Sequence, residues 1–288
     1  MLRQILLKNP ILISIVVWVL VFLFLFPLAW LTISSFKGRK ELLSIEPSFV
    51  FNPTLSNYKK LFFQLGPEGQ ITGTTDFLYT LFNSVIVTVF GTLITVIFGS
   101  LAAYGFSRFD YPAKDDLLFF VLATRMLPPI AIILAIYFMF RVAGLLDTRL
   151  GLMLVYALVN LSFSVWIMKG FFDEIPEEFE YAAMCDGYTR LQAFFKVILP
   201  QVYNGIAATA LICAIFSWNE FLAALILTGE VAKTVPVNLA ASAVGTTATN
   251  WGLIAAGTLI FVTPMVIFTF FVRDYLVRGL TFGIVKGQ

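Results

Sequence analysis

Six stretches of this chain are each long and apolar enough to cross a lipid bilayer, and they leave little freedom in the fold. A hydrocarbon core about 30 Å thick needs about 20 apolar residues in a helix, because lipid offers no hydrogen-bond partners to irregular backbone. The stretches run approximately Ile11 to Ile33, Leu78 to Tyr104, Leu117 to Phe140, Gly151 to Met168, Val202 to Leu227 and Trp251 to Val272. Only Arg125 and Glu220 are charged inside them. Composition agrees, with 59% hydrophobic and 12% charged residues, against about 25% charged in soluble domains. The expected fold is an all-α polytopic membrane protein in which residues 1–288 form a single transmembrane domain with six helices and membrane lipid as its surroundings.

Several function classes are excluded early. The net charge of +2 is small, and no basic run extends beyond Lys37, Arg39 and Lys40, so nucleic acid is not an expected partner. Histidine is absent, which removes imidazole acid–base chemistry and His-ligated metals. Cys185 lies in a polar loop and Cys213 in an apolar run, without CxxC spacing, and both read as unpaired thiols. No metal site is expected. The first apolar run follows Arg3 and Lys8, but it is too long for a signal h-region and lacks a small-x-small cleavage site, so it reads as an uncleaved span. Six spans put both termini on one side. Positive charge barely distinguishes the two sides, and the Lys37 to Lys40 cluster opposes an inside N-terminus.

Within the spans, Gly91, Thr95, Gly99 and Ala103 recur every four residues and define one helix face suited to close backbone contact. Pro128 and Pro129 are expected to kink the third span, since proline lacks the amide that the helical ladder uses. Residues 34–77 carry Pro47, Pro53 and Pro67 and read as an irregular outer loop with one short interfacial helix around Tyr58 to Phe63.

Residues 169–201 differ in kind. In IPEEFEYAAMCDGYTRLQAFFKVILP, Pro176 suits a first helical turn, and Glu177, Glu178 and Glu180 complement the positive helix start. Gly187 can adopt the left-handed conformation that ends a helix, and Thr189 with Gln192 forms a capping box that begins another. Pro200 marks the approach to span five. The pattern predicts a pair of short helices with Ala182 and Ala183 on a face open to close approach. It fits a docking element or an amphipathic loop lying on the membrane.

These residues resemble the EAA loop of binding-protein-dependent ABC importer permeases: Glu-Ala-Ala, three residues, Gly, nine residues, Ile, one residue, Leu-Pro. Here the elements fall on Tyr181, Ala182, Ala183, Gly187, Val197, Leu199 and Pro200, with Asp186 before the glycine. Tyr181 replaces the motif glutamate, with Glu180 one residue earlier, and Val197 replaces isoleucine. The stretches NSVIVTVFGTLITVIFGSLAAYGFSRFDYP, SWNEFLAALILT, TVPVNLA and GLTFGIVKG are similar to the six-span partner of the maltose-type carbohydrate permeases. The resemblance thus covers nearly the whole chain and implies a type I ABC importer permease fold.

It implies further that residues 169–201 are cytoplasmic, that residues 34–77 are periplasmic, and that both termini lie inside a bacterial or archaeal inner membrane. The expected partners are a homologous second permease chain, two ATPase subunits and a periplasmic substrate-binding protein, with sugars or polyols as cargo. No GxxxxGK[ST] loop is present, so the chain is not expected to be an enzyme, and ATP and Mg belong to the partner ATPase. Glu180, Tyr181, Ala182, Ala183, Asp186 and Gly187 become the candidate ATPase-coupling residues, and the tail after Arg278 a further contact. Charges inside a membrane are functional candidates by default. Arg125, Glu220, Asn160, Trp218 and Asn219 are therefore candidates for the translocation path, with Arg125 and Glu220 able to touch cargo, gate or pair with each other. Two alternatives stay open: an ABC permease for another solute class, and an ion-coupled secondary transporter, which would not need the EAA loop.

Overall fold

The structure is a computed structural model that describes residues 10–282 apart from 45, 47–49, 67–68 and 244–248. Arg3, Lys8, Pro47, Pro67 and the tail segment 283–288 lie outside the described residues. Two compact units are present, Met1–Leu78 with Leu239–Val262, and Tyr79–Asn238 with Thr263–Gln288. Four helices are long and apolar enough to cross a membrane: α1 (Pro10–Ser35), α4 (Phe77–Arg108), α7 (Arg149–Asp173) and α14 (Trp251–Phe282). Two bent helix pairs bring the number to six if each forms one span.

The first unit is built around α1. This helix is apolar on all sides and none of its most hydrophobic window is buried within the protein. Such a surface has no stable home in water and suits lipid or a neighbouring membrane helix. A short helix α2 (Arg39–Leu42) follows, and then α3 (Ser56–Phe62). The Asn57 side-chain amide donates to the carbonyls of Ser35 and Lys37, both at 2.8 Å, tying α3 to the end of α1. Beyond α3 the chain forms an antiparallel hairpin of β1 (Phe63–Leu65) and β2 (Ile71–Thr74), pairing Phe63 with Thr74 and Gln64 with Gly73. The short helix near Tyr58 was expected; the hairpin was not, because two strands of three and four residues carry too little alternation to read.

In the second unit α4 packs against α7 along the small-residue face. Gly91, Thr95, Gly99 and Ala103 are all buried. A Cβ built at Gly99 would lie 2.1 Å from Ser164 Oγ and 2.5 Å from Ser164 Cβ, so only glycine allows this approach. The third span is two helices, α5 (Lys114–Ala123) and α6 (Pro129–Ala143), meeting at 95° across a 3-10 turn at Thr124–Met126. Pro128 occupies the cap of α6 and Pro129 its first turn, positions where the missing amide costs nothing. The expected kink is thus a full break.

Span five also departs from the continuous helix expected over 202–227. A short helix α8 (Glu178–Cys185) leads to α9 (Arg190–Ala193), a π turn at Phe194–Ile198 and α10 (Leu199–Gln201). The part of this run from Arg190 to Gln201 meets α11 (Tyr203–Trp218) at 77°. Helix α11 stops at Trp218, and α12 (Leu222–Leu227) resumes after a three-residue interruption; α13 (Val235–Ala243) lies beyond. Apolar composition could not reveal these breaks, since it is the same on both sides of each.

One core cluster joins Val87, Ile133, Ile136, Leu152, Val155, Tyr156, Ala223 and Leu227. At the same end, α6 closes with Gly144 at φ +68°, and Thr148 caps α7 by accepting from the Gly151 amide at 3.0 Å. Between them, the Asp147 carboxylate accepts from the amides of Gly229 (2.8 Å), Val231 (3.1 Å) and Ala232 (2.9 Å). Burial works to raise the Asp147 carboxyl, but these amides outweigh it and hold it below the usual carboxylate range.

Gly99→Ala is expected to destabilise the protein by about 1–3 kcal/mol through overpacking, read as a lower thermal midpoint in detergent, with Ser164→Gly and not Ser164→Ala restoring it. Because folding depresses the Asp147 carboxyl, its contribution is present above the unfolded value and lost as pH falls through the folded one. Asp147→Asn therefore lowers thermal stability at pH 7, and the gap to the native protein closes on acidification below the ordinary carboxylate range.

Candidate functional site

The loop after α7 forms the helix pair that its residues predict. Helix α8 ends with Gly187 at φ +90°, and the Tyr188 amide donates to Ala183 O at 3.1 Å while that of Gly187 donates to Met184 O at 3.0 Å. This is a Schellman closure, which needs a residue tolerant of the left-handed region. The capping box opens α9, with the Gln192 amide donating to Thr189 Oγ1 at 3.3 Å and the Thr189 amide to Gln192 Oε1 at 2.9 Å. Two rigid short helices thus meet at a fixed corner.

The six loop candidates divide by direction. Glu180 and Ala183 are buried, at 2% and 6% exposure, and point into this chain. Tyr181, Ala182, Asp186 and Gly187 are exposed. The expectation that both alanines open a face to a partner is corrected: α8 lays Ala183 on its inner side and leaves Ala182 outside, because successive helical residues are about 100° apart.

Glu180 sits in a charge cluster that sequence reading did not assemble. The Tyr104 hydroxyl donates to its Oε1 at 2.5 Å, Arg190 Nε lies 3.2 Å from the same oxygen, and Arg108 Nε lies 3.5 Å from Oε2. The Arg108 contact is an ion pair without a hydrogen bond, as neither Arg108 Nε nor Glu180 Oε2 has a hydrogen-bond partner. A second nitrogen of Arg108 donates to Ile175 O at 2.7 Å, and Ser107 donates to Asp173 Oδ1 at 2.7 Å. Around the polar centre, Tyr104 contacts the rings of Phe109, Phe172 and Phe194. Tyr104 and Arg108 lie in the AAYGFSR stretch, and their signal was a tyrosine and an arginine one turn apart at the end of an apolar helix.

Outside this cluster the helix pair presents apolar surface to its surroundings. Phe179, Tyr181, Tyr188 and Leu191 are 50%, 50%, 39% and 64% exposed. Large apolar side chains on two short helices, with Asp186 at the corner, form a surface suited to a protein partner.

The five intramembrane candidates are partly brought together. Arg125 lies on the 3-10 turn between α5 and α6; one guanidinium nitrogen donates to Val159 O at 2.6 Å. Its guanidinium rests 4.2 Å from the Phe163 ring centre and 5.2 Å from that of Phe216, and these rings are themselves stacked 5.3 Å apart. Next to Val159, Asn160 is buried and donates to Tyr156 O and Ser217 Oγ, each at 3.0 Å. Trp218 is buried at the end of α11, and exposed Asn219 donates to Ile215 O at 2.8 Å. Glu220 turns to α12, accepting from the Ala223 amide at 3.0 Å and the Ala224 amide at 3.4 Å. The direct Arg125 to Glu220 pair does not form: the cation is held by aromatic faces, and the carboxylate by a helix start that favours negative charge.

Residues 95–282 match the family described as binding-protein-dependent transport system inner membrane component. Among relatives, the chain is 35% identical to the trehalose transport system permease protein SugB of Mycobacterium tuberculosis, over 91% of this chain and 93% of that one. It is 32% identical to the trehalose/maltose transport system permease protein MalG of Thermococcus litoralis, over 92% of each. A solved bacterial ABC transporter involved in import of the acidic polysaccharide alginate contains a chain that superposes with a TM-score of 0.76 at 22% identity, covering 92% of this chain and 95% of that one. At this identity the likeness is one of fold.

Proposed function

This chain belongs to the family of binding-protein-dependent transport system inner membrane components, and from that membership we propose that it forms one half of the pore of an ATP-driven importer for sugars or polyols. The observation that carries the reading is the α8–α9 corner: an exposed apolar and acidic surface at the spacing of the EAA motif, held rigidly by its own caps and by Glu180. The names of the relatives support the cargo class.

In this reading α8 and α9 face the cytoplasm, residues 34–77 and 229–234 face outward, and both termini lie inside. A homologous permease chain completes the pore, and a periplasmic binding protein delivers cargo. Two separate ATPase subunits bind ATP and Mg. When they close on ATP, they push on Tyr181, Ala182, Asp186 and Gly187, and the spans switch as rigid bodies between inward- and outward-facing states. Arg125, Asn160 and Asn219 lie near the breaks in spans three and five, where non-helical backbone at membrane depth is tolerated if it is buried or lines a cavity. Arg125 and Asn219 are the accessible ones of the three and suit an oxygen-rich solute, whereas Asn160 is buried and spends its amide on Tyr156 and Ser217.

Cys185 is exposed and Cys213 buried, so a Cys213→Ser variant leaves a single native reporter on α8. A membrane-impermeant maleimide is expected to label it in inside-out vesicles and not in intact cells; labelling from the outside of cells removes the reading. Gly187→Val forces a β-branched residue into the left-handed region at a cost of about 1–2 kcal/mol without a steric contact. It is expected to leave membrane insertion and basal ATP hydrolysis by the complex intact while uptake of radiolabelled trehalose, maltose and a hexitol is lost.

A further inference from the structure

The C-terminal end of α4 grips the coupling loop at three successive points. Ser107 holds Asp173 at the end of α7, Arg108 holds the Ile175 carbonyl in the linker, and Tyr104 with Arg108 holds Glu180 on α8. Glu180 faces two arginines at once, and its side chain is 3% exposed. Arg108 is 5% exposed at its side chain, whereas Arg190 is 40% exposed.

The other end of α4 is also fixed. Asn83 is fully buried; its amide donates to the carbonyls of Val231 and Lys233 at 2.9 Å each, and its oxygen accepts from Arg149 at 2.7 Å. From Asn83 to Arg108 the helix spans roughly 38 Å by helical rise. Between the two ends, the glycine face keeps α4 in van der Waals contact with α7. One unbroken helix therefore connects α8 to the loop at residues 229–234.

We propose that Glu180 is the positioning residue that clamps α8 to α4, so that a push on the coupling helix is delivered along α4 to the loop at 229–234. This rests on the coupling reading above and adds the route the motion takes. An apolar residue at position 180 would fill the space, but it would leave two guanidinium groups facing each other without a counter-charge, and α8 would detach from α4. Breaking a buried ion pair by removing one member is strongly destabilising, because it leaves an uncompensated buried charge. The clamp is therefore electrostatic, and it needs the carboxylate at position 180 and the buried Arg108 together.

The experiment uses the full chain purified with its partner subunits, with hydrogen–deuterium exchange measured with and without ATP and vanadate. In the native complex the nucleotide is expected to change exchange both in residues 178–192 and in the segments around Asn83 and 229–234. Glu180→Gln is expected to raise exchange in residues 178–185, to keep the ATPase subunits bound, and to abolish the response at Asn83 and 229–234. Arg108→Gln, which takes away the buried partner of Glu180, is expected to lose the same distal response with the ATPase subunits still bound. A distal response equal to the native one in either Glu180→Gln or Arg108→Gln overturns the proposal. If no ATPase subunit accompanies the native chain, the coupling reading fails first, and the clamp with it.

Discussion

The contact between α4 and α7 at Gly99 and Ser164 is the constraint on which the second unit depends. Lipid is as apolar as leucine, so helices inside a membrane gain little from hiding apolar surface; they associate through close packing and polar contacts. A missing side chain at Gly91 and Gly99 brings two long helices near enough for dispersion to act along their length. With α4 held there, its C-terminal end lies against the loop between α7 and α9 and its N-terminal region against residues 229–234. A looser contact would let α4 tilt and would displace both.

Not every span is a continuous rod. Spans three and five are both interrupted, the first where two prolines remove successive amides, the second where the chain leaves helical geometry at Asn219 to Phe221. The residues with membrane-embedded polar groups collect near these interruptions. Arg125 lies on the turn between α5 and α6, where aromatic faces replace part of its hydration. Glu220 lies at the interruption in span five, where freed amides of α12 satisfy its carboxylate. Each break exposes backbone groups that need partners, and each intramembrane charge needs the same, so the two requirements meet at one place.

Surface character follows the same division of tasks. Helix α1 is apolar all round, which suits a helix whose neighbours are lipid or another membrane chain. The α8–α9 corner is mixed, with aromatic side chains around an acidic turn, and its inner side is closed by a charge cluster. A partner pressing on that corner meets a surface backed by ion pairs and four aromatic rings, so displacement of the corner passes inward with little loss to local deformation.

Most of the architecture was legible in the chain itself. The six apolar runs, the small-residue face of α4, the left-handed Gly187 and the capping box at Thr189 all follow from local chemistry that a few neighbouring residues specify. The hairpin at residues 63–74 was not legible because its strands are too short to show alternation, and the interruption after Trp218 and the bend before Tyr203 were not because apolar residues flank each on both sides. Nor could sequence tell Glu180 from Tyr181 in direction. Local pattern determined that a helix pair forms after the fourth span; tertiary structure alone decided that Glu180 turns inward to Tyr104, Arg108 and Arg190. Those partners are distant in the chain, and a carboxylate can be buried only where the fold assembles its counter-charges.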